Sequence, residues 1–354
     1  MDDKIKQSVA LEIIKVLKSR FDSFPDIDTN ARNAPFHKAF LRAFRTRFSG
    51  IHTDSDKLVS ISSWLHGFNT TLGQTFFENI ANSLCAGQKR KFSGEEFKIY
   101  KKQEEVIAEH MTDLKNGQLS PEVAAEDDML IKAAKGELVV GTNFTADCFF
   151  EDDERIVAIE LKSVRPNSGQ TRDEKQKILK AKAALRRYYN EIPACRNKKI
   201  YYYFGFPFDP TAKTDTGYCK ESFINNMIEF SKFCAPDEIL LSDELWSFLS
   251  GEKGTMAQIL NIINDISDDS FYEDFNFLCS SHAIDRDFKR YRNIVLRWHL
   301  SDEVRILDNW EKFASISDSK LKRQIYSNIF DNSGKFNAKR SDTLLAFINE
   351  YLNE

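Results

Sequence analysis

Apolar positions along the chain change their spacing part-way, and the change divides helices from strands. Near the start Ile5, Val9, Ile13, Val16 and Leu17 recur at helical intervals, which predicts an amphipathic helix. Residues 1 to 48 read as helices joined by the polar stretch between Pro25 and Pro35. A second stripe, Leu72, Phe76, Phe77, Ile80, Ala81 and Leu84, stops at Gly87 and carries Glu78 beside its centre. Residues 95–117 and 120–135 predict two further helices, the second opened by Ser120, Pro121 and Glu122. At residue 137 the period shortens. Two β-rich runs in ELVVGTNFTADCFFEDDERIVAIELKSV flank the acidic cluster Glu151, Asp152, Asp153 and Glu154, which predicts an antiparallel hairpin. After the loop PNSGQ, Thr171 to Glu174 fits a capping box that opens a helix over 172–190. KKIYYYFGFPF, from Lys198 to Phe208, has the near-continuous apolar character of a strand covered on both faces. Residues 220–234, 242–250 and 255–265 read as helices, and the chain beyond about residue 271 is mostly helical. The order predicts an α/β core embedded in a mainly helical protein.

Composition narrows the function. Apolar residues make up 42% of the 354 and charged residues 29%, enough of each for a folded chain with a sizeable core. Fifty Lys and Arg against 54 Asp and Glu give a net charge of −4, so any contact with a polyanion comes from local patches. Six scattered cysteines and six histidines lack zinc-ligand spacing. There is no GxxxxGK[ST] for nucleotide phosphates and no HExxH. Without a secretion signal or an apolar run long enough to span a bilayer, the expectation is a reduced cytoplasmic protein.

The candidate chemistry lies in the hairpin. Asp147 is followed by Glu160, Leu161 and Lys162, and alternation along a strand aims Glu160 and Lys162 from one face. A two-residue turn at Asp153 and Glu154 sets Asp147 opposite Glu160, whereas a turn one residue earlier breaks that pairing; the sequence leaves both open. Two carboxylates and the Leu161 carbonyl are hard oxygen donors suited to Mg2+, and a neighbouring lysine can orient or deprotonate a water and stabilise charge on a phosphodiester. The competing structural reading makes Glu160 and Lys162 an ion pair at a solvent edge and Asp147 a surface residue. Against it stands the apolar context of RIVAIELKSV, where isolated charges are costly.

Charge supplies a second signal. Arg155 to Lys199 holds thirteen Lys or Arg against four acids, and Pro121 to Glu154 holds ten acids against two lysines. An acidic site beside a basic helix suits cutting of a polyanion, although a solvated helix face gives the same pattern. Arg165, Asn167, Arg172, Lys175 and Lys182 are the candidate DNA contacts, together with the loop from Pro207 to Tyr218.

Asp147, Glu160 and Lys162 in these elements resemble the PD-(D/E)XK nuclease superfamily, although Ala146 stands where a proline is usual. FNTTLGQTFFENIA, ELKSVRPNSG and EILLSDELWSFLSG are similar to the TdeIII-like type II restriction endonucleases. The resemblance implies a restriction-endonuclease-like core, a mixed β-sheet flanked by helices in the order α-β-β-β-α-β. It further implies an N-terminal helical arm at 1–60, a nuclease core at 61–254 and a C-terminal helical region at 255–354, the arms clamping a dimer and DNA. The implied function is Mg2+-dependent, site-specific cleavage of double-stranded DNA, at an interrupted palindrome of the GGNCC kind, by a homodimer encoded near a cognate DNA methyltransferase. Asp147, Glu160, Leu161 and Glu78 would hold metal, and Lys162 would activate water. The alternatives are a repair nuclease acting on branched or modified DNA, and a noncatalytic DNA-binding or assembly protein.

Overall fold

The structure is a computed structural model that describes residues 1–24, 55–141, 143–162, 168–227, 229–280, 282–314 and 319–352. The chain divides into two compact units, one formed by Met1 with 77–258 and the other by 2–76 with 259–354.

In the first unit α1 (Phe77–Leu84) leads into β1 (Gln88–Phe92); β2 (Lys98–Tyr100), α2 (Lys101–Asn116), α3 (Val123–Lys132) and β3 (Leu138–Val140) follow as an excursion in which β2 and β3 pair alone. The chain returns with β4 (Phe144–Glu151) and β5 (Arg155–Leu161), crosses through α4 (Ser168–Asn190) to β6 (Lys199–Phe206), and ends with α5 (Lys220–Asn225), α6 (Phe230–Phe233), β7 (Ile239–Leu241) and α7 (Asp243–Ser250). The sheet runs β1-β4-β5-β6-β7, antiparallel from β1 to β5 and parallel from β5 to β7. With the excursion set aside, α1, β1, β4, β5, α4 and β6 follow the expected order of helix, three strands, helix and strand.

Both faces of the sheet are covered. On one, Ile156, Ala158 and Tyr202 join a core with Ile178, Leu179 and Leu185 of α4 and Ile107 and Met111 of α2. On the other, Leu245 of α7 closes on Gly205, where a side chain would come within 2.8 Å of Ile159 and Leu161. The hairpin turn falls at Asp153 and Glu154: Glu151 pairs with Ile156, Cys148 with Ile159, and the Asp152 amide donates to the Arg155 carbonyl. The paired register ends at Cys148 and Ile159, so Asp147 and Glu160 lie just beyond the last pair. Between β1 and β4 the register slips, Gln88 facing Phe149 but Arg90 facing Ala146, so β4 carries one extra residue at Asp147–Cys148. Such a bulge turns a side chain away from strict alternation.

In the second unit the helix Asp3–Asp22 docks on Ser301–Asp308 through Gln7, whose amide nitrogen donates to Asp302 at 2.7 Å and whose oxygen accepts from the Asp302 amide at 2.7 Å. The two ends of the chain, expected as separate regions, thus share one unit, and residues 61–76, expected in the nuclease core, fall within it. Other expectations also shift. The helix expected over 95–117 begins at Lys101, after a 3-10 turn and β2. The Thr171 capping box lies inside α4, which starts at Ser168, and Thr171 is buried. The helix expected over 220–234 is two short pieces.

Candidate active site

Two clusters of charge meet at the β4–β5 ladder. The first is built on the bulge. Asp147 Oδ2 accepts from the Leu161 amide at 2.9 Å, while its Oδ1 lies 3.7 Å from Lys89 Nζ of β1. Lys89 also reaches Glu78 of α1 at 2.8 Å, and Asn82, one turn further along that helix, donates from its side-chain amide to the Asp147 carbonyl at 3.0 Å. Burial raises the Asp147 carboxyl above the usual aspartate range; the Leu161 amide opposes this and the Glu78 charge adds to it. Lys89 is raised above an ordinary lysine, chiefly by its hydrogen bond to Glu78.

The second cluster is a closed ring. Glu160 Oε1 accepts from Lys162 Nζ at 3.0 Å and its Oε2 from Lys177 Nζ at 2.9 Å. Glu174 of α4 receives the same two lysines, Lys162 at 2.9 Å and Lys177 at 3.2 Å. Glu174 and Lys177 stand three residues apart, one face of the helix, and Glu160 faces that helix because it follows Ile156 and Ala158 in alternation. Burial works against the Lys162 ammonium, but Glu160 and Glu174 outweigh it and hold the lysine above its usual range. Burial also opposes ionisation of Glu174, yet Lys162 and Lys177 keep its carboxyl below the ordinary glutamate value. Next to the ring Tyr202 is buried, its hydroxyl without a hydrogen-bond partner among the described residues; burial and the charges of Glu160, Glu174 and Asp147 drive it well above an ordinary phenol.

Across both clusters the acids Glu78, Asp147, Glu160 and Glu174 outnumber the lysines Lys89, Lys162 and Lys177 by one. Among the described residues no three His, Cys, Asp or Glu side chains converge as a ready metal cage. The carboxylates that could bind a cation are instead held by lysines.

Of the expected site residues, Glu160 and Lys162 are in direct contact, and Asp147 is joined to Glu78 through Lys89 and to β5 through the Leu161 amide. Lys175 and Lys182 are not on a DNA-facing surface. Lys175 is fully buried, 2.7 Å from Glu126 and 2.5 Å from Glu238, and Lys182 is buried against Asp127. A buried ammonium held by carboxylates anchors a helix and cannot reach a phosphate, so both are corrected to structural roles. Arg172 is half-buried in the first turns of α4, with its Nε buried and without a partner among the described residues. Arg165 and Asn167 lie outside the described residues. The loop from Pro207 is pinned by Asp209, which accepts from the amides of Thr211 and Cys219. Lys89, Glu174, Lys177 and Tyr202 escaped the sequence reading. QKRKF does not look like a strand, Glu174 was read as part of a helix cap, and only the 174/177 spacing beside the hairpin hinted at a shared face.

The HinfI type II restriction endonuclease family matches residues 1–267. A curated relative, the type II restriction enzyme MjaII of Methanocaldococcus jannaschii, is 41% identical over 377 residues, covering all of both chains. No solved structure matches. Among the described residues no helix is long and apolar enough to cross a membrane. The chain belongs to the HinfI family of type II restriction endonucleases, enzymes that cut DNA at specific sequences.

Proposed function

We propose that this protein cleaves double-stranded DNA hydrolytically with Mg2+, through a PD-(D/E)XK site in which Asp147, Glu160 and the Leu161 carbonyl hold the ion and Glu78 assists. The observation that carries the proposal is the end of the β4–β5 hairpin, where Asp147 accepts from the Leu161 amide at 2.9 Å and the flanking Glu160 and Lys162 are in contact at 3.0 Å. The donors fit the ion: they are hard oxygens, the acids exceed the lysines by one charge, and Asp147 is the acid least compensated by a cation. When bound, such an ion lowers the pKa of a coordinated water and offsets charge on the phosphodiester.

The protein's own groups supply the rest. Lys162, held as an ammonium by Glu160 and Glu174, orients the nucleophile and stabilises developing negative charge; its raised pKa favours this role over proton abstraction at neutral pH. Lys89 keeps Glu78 and Asp147 together against their mutual repulsion. A palindromic site presents the same sequence on each strand, so two protomers related by a two-fold axis each cut one strand. The TdeIII-like segments favour an interrupted palindrome of the GGNCC kind, and a cognate methyltransferase encoded nearby would protect host DNA.

A second reading has an observation in its favour: a neutral ring of two glutamates and two lysines is also what an inert ion-paired edge would contain. Plasmid digestion separates the two. The expected outcome is discrete fragments in Mg2+, none with EDTA, and a loss of about 10²- to 10⁴-fold in rate for Lys162→Ala. Random nicking would point to a repair nuclease, and binding without cutting to a noncatalytic protein. End mapping of the fragments tests the GGNCC site.

A further inference from the structure

We propose that Glu174 is a positioning residue that keeps Lys162 in place once Glu160 is committed to a cation. The inference rests on the reading above and deepens it. In the ring each carboxylate meets both lysines: Glu160 accepts a hydrogen bond from Lys162 and one from Lys177, and Glu174 accepts one from Lys162 and is ion-paired with Lys177 at 3.2 Å. If Glu160 turns its oxygens to a divalent ion, both lysines lose that partner and face an added positive charge. Among the hydrogen bonds of Lys162 to described residues, the one to Glu174, at 2.9 Å, then remains.

Glu174 is suited to the task because its backbone is fixed. The next residue, Lys175, is buried between Glu126 of α3 and Glu238, and Ile178 and Leu179 pack into the core, so α4 neither rotates nor slides easily beneath the site. Lys177, on the same helix face, is the exchangeable countercharge. It neutralises Glu160 before a cation arrives and retains Glu174 afterwards. Glu174 touches no ligand in this scheme and acts only through Lys162.

The test uses full-length protein and a duplex carrying the site mapped from wild-type cuts. Glu174→Ala is expected to lower kcat by about 100-fold and Glu174→Gln, which retains an acceptor, by about 10-fold, with KM unchanged in both. Binding of the duplex in Ca2+ should match wild type. In metal-free protein, acetylation of Lys162 followed by peptide mass spectrometry should be several-fold faster in Glu174→Ala, because Glu160 is then the one carboxylate of the ring left to hold the amine. Wild-type kcat in either variant overturns the proposal, as does a fall in kcat matched by lost duplex binding. If the alanine variant fails to fold, the glutamine variant decides on the same criteria. Wild-type protein that cuts nothing in Mg2+ overturns the functional reading and this inference together; cutting by wild type and Glu174→Ala alike overturns only the role of Glu174.

Discussion

Lys162 and Lys175 show how the same side chain acquires opposite roles from its surroundings. Lys162 is partly exposed beside the buried Glu160 and the half-buried Glu174 and can meet a substrate; Lys175 is sealed between Glu126 and Glu238. Burial raises the Glu238 carboxyl, whereas Glu126, with His110 and Lys175 as partners, is held below the usual range despite its burial. Removing the central cation leaves two buried carboxylates without it. Lys175→Met should therefore cost about 3–5 kcal/mol in denaturant unfolding, and neutralising both acids in the same variant should recover part of the loss. Unchanged stability of the single variant would refute the anchoring role.

At the scale of elements the site depends on the seat of β5 between β4 and β6. Gly205 of β6 pairs with Leu161, and a side chain there would press on Ile159, Leu161 and Leu245. Gly205→Ala should cost about 1–3 kcal/mol of stability and reduce cleavage out of proportion to it, because the strain falls on the strand end that carries Glu160 and Lys162. Equal retention of stability and cleavage would mean that the close approach is unimportant. The hairpin was legible in the sequence because two β-rich runs flank an acidic turn, but alternation left two turn positions open, and the structure puts the turn at Asp153 and Glu154. The bulge at Asp147–Cys148 was not legible, since it arises from pairing with β1, whose sequence QKRKF carries no β-rich pattern. Nor could charge counting separate lysines inside α4 from those facing the site: Lys175 and Lys177 differ by two residues, about 200° around a helix, and so by burial and function. Aromatic content announced β6, yet nothing local announced that the Tyr202 hydroxyl lies near the acids.

For the whole molecule, the N-terminal helix joins the C-terminal helices in one unit while the paired carboxylates belong wholly to the other. Similarity to MjaII runs through both units, so the helical unit belongs to the enzyme as much as the sheet does. In that unit Arg340 and Glu303 form a buried two-point ion pair, at 2.5 and 2.9 Å, joined by the Tyr291 hydroxyl, a polar centre within an otherwise apolar helix cluster. A dimer cutting both strands would bring two copies of the site to one duplex. The most direct test is titration of Mn2+ into the protein bound to its mapped duplex, followed by electron paramagnetic resonance. Wild type should bind at least one ion per protomer, and Asp147→Asn and Glu160→Gln should each abolish or weaken that binding by at least about 10-fold. Undiminished binding in both variants would contradict the assignment of the ion to these two carboxylates.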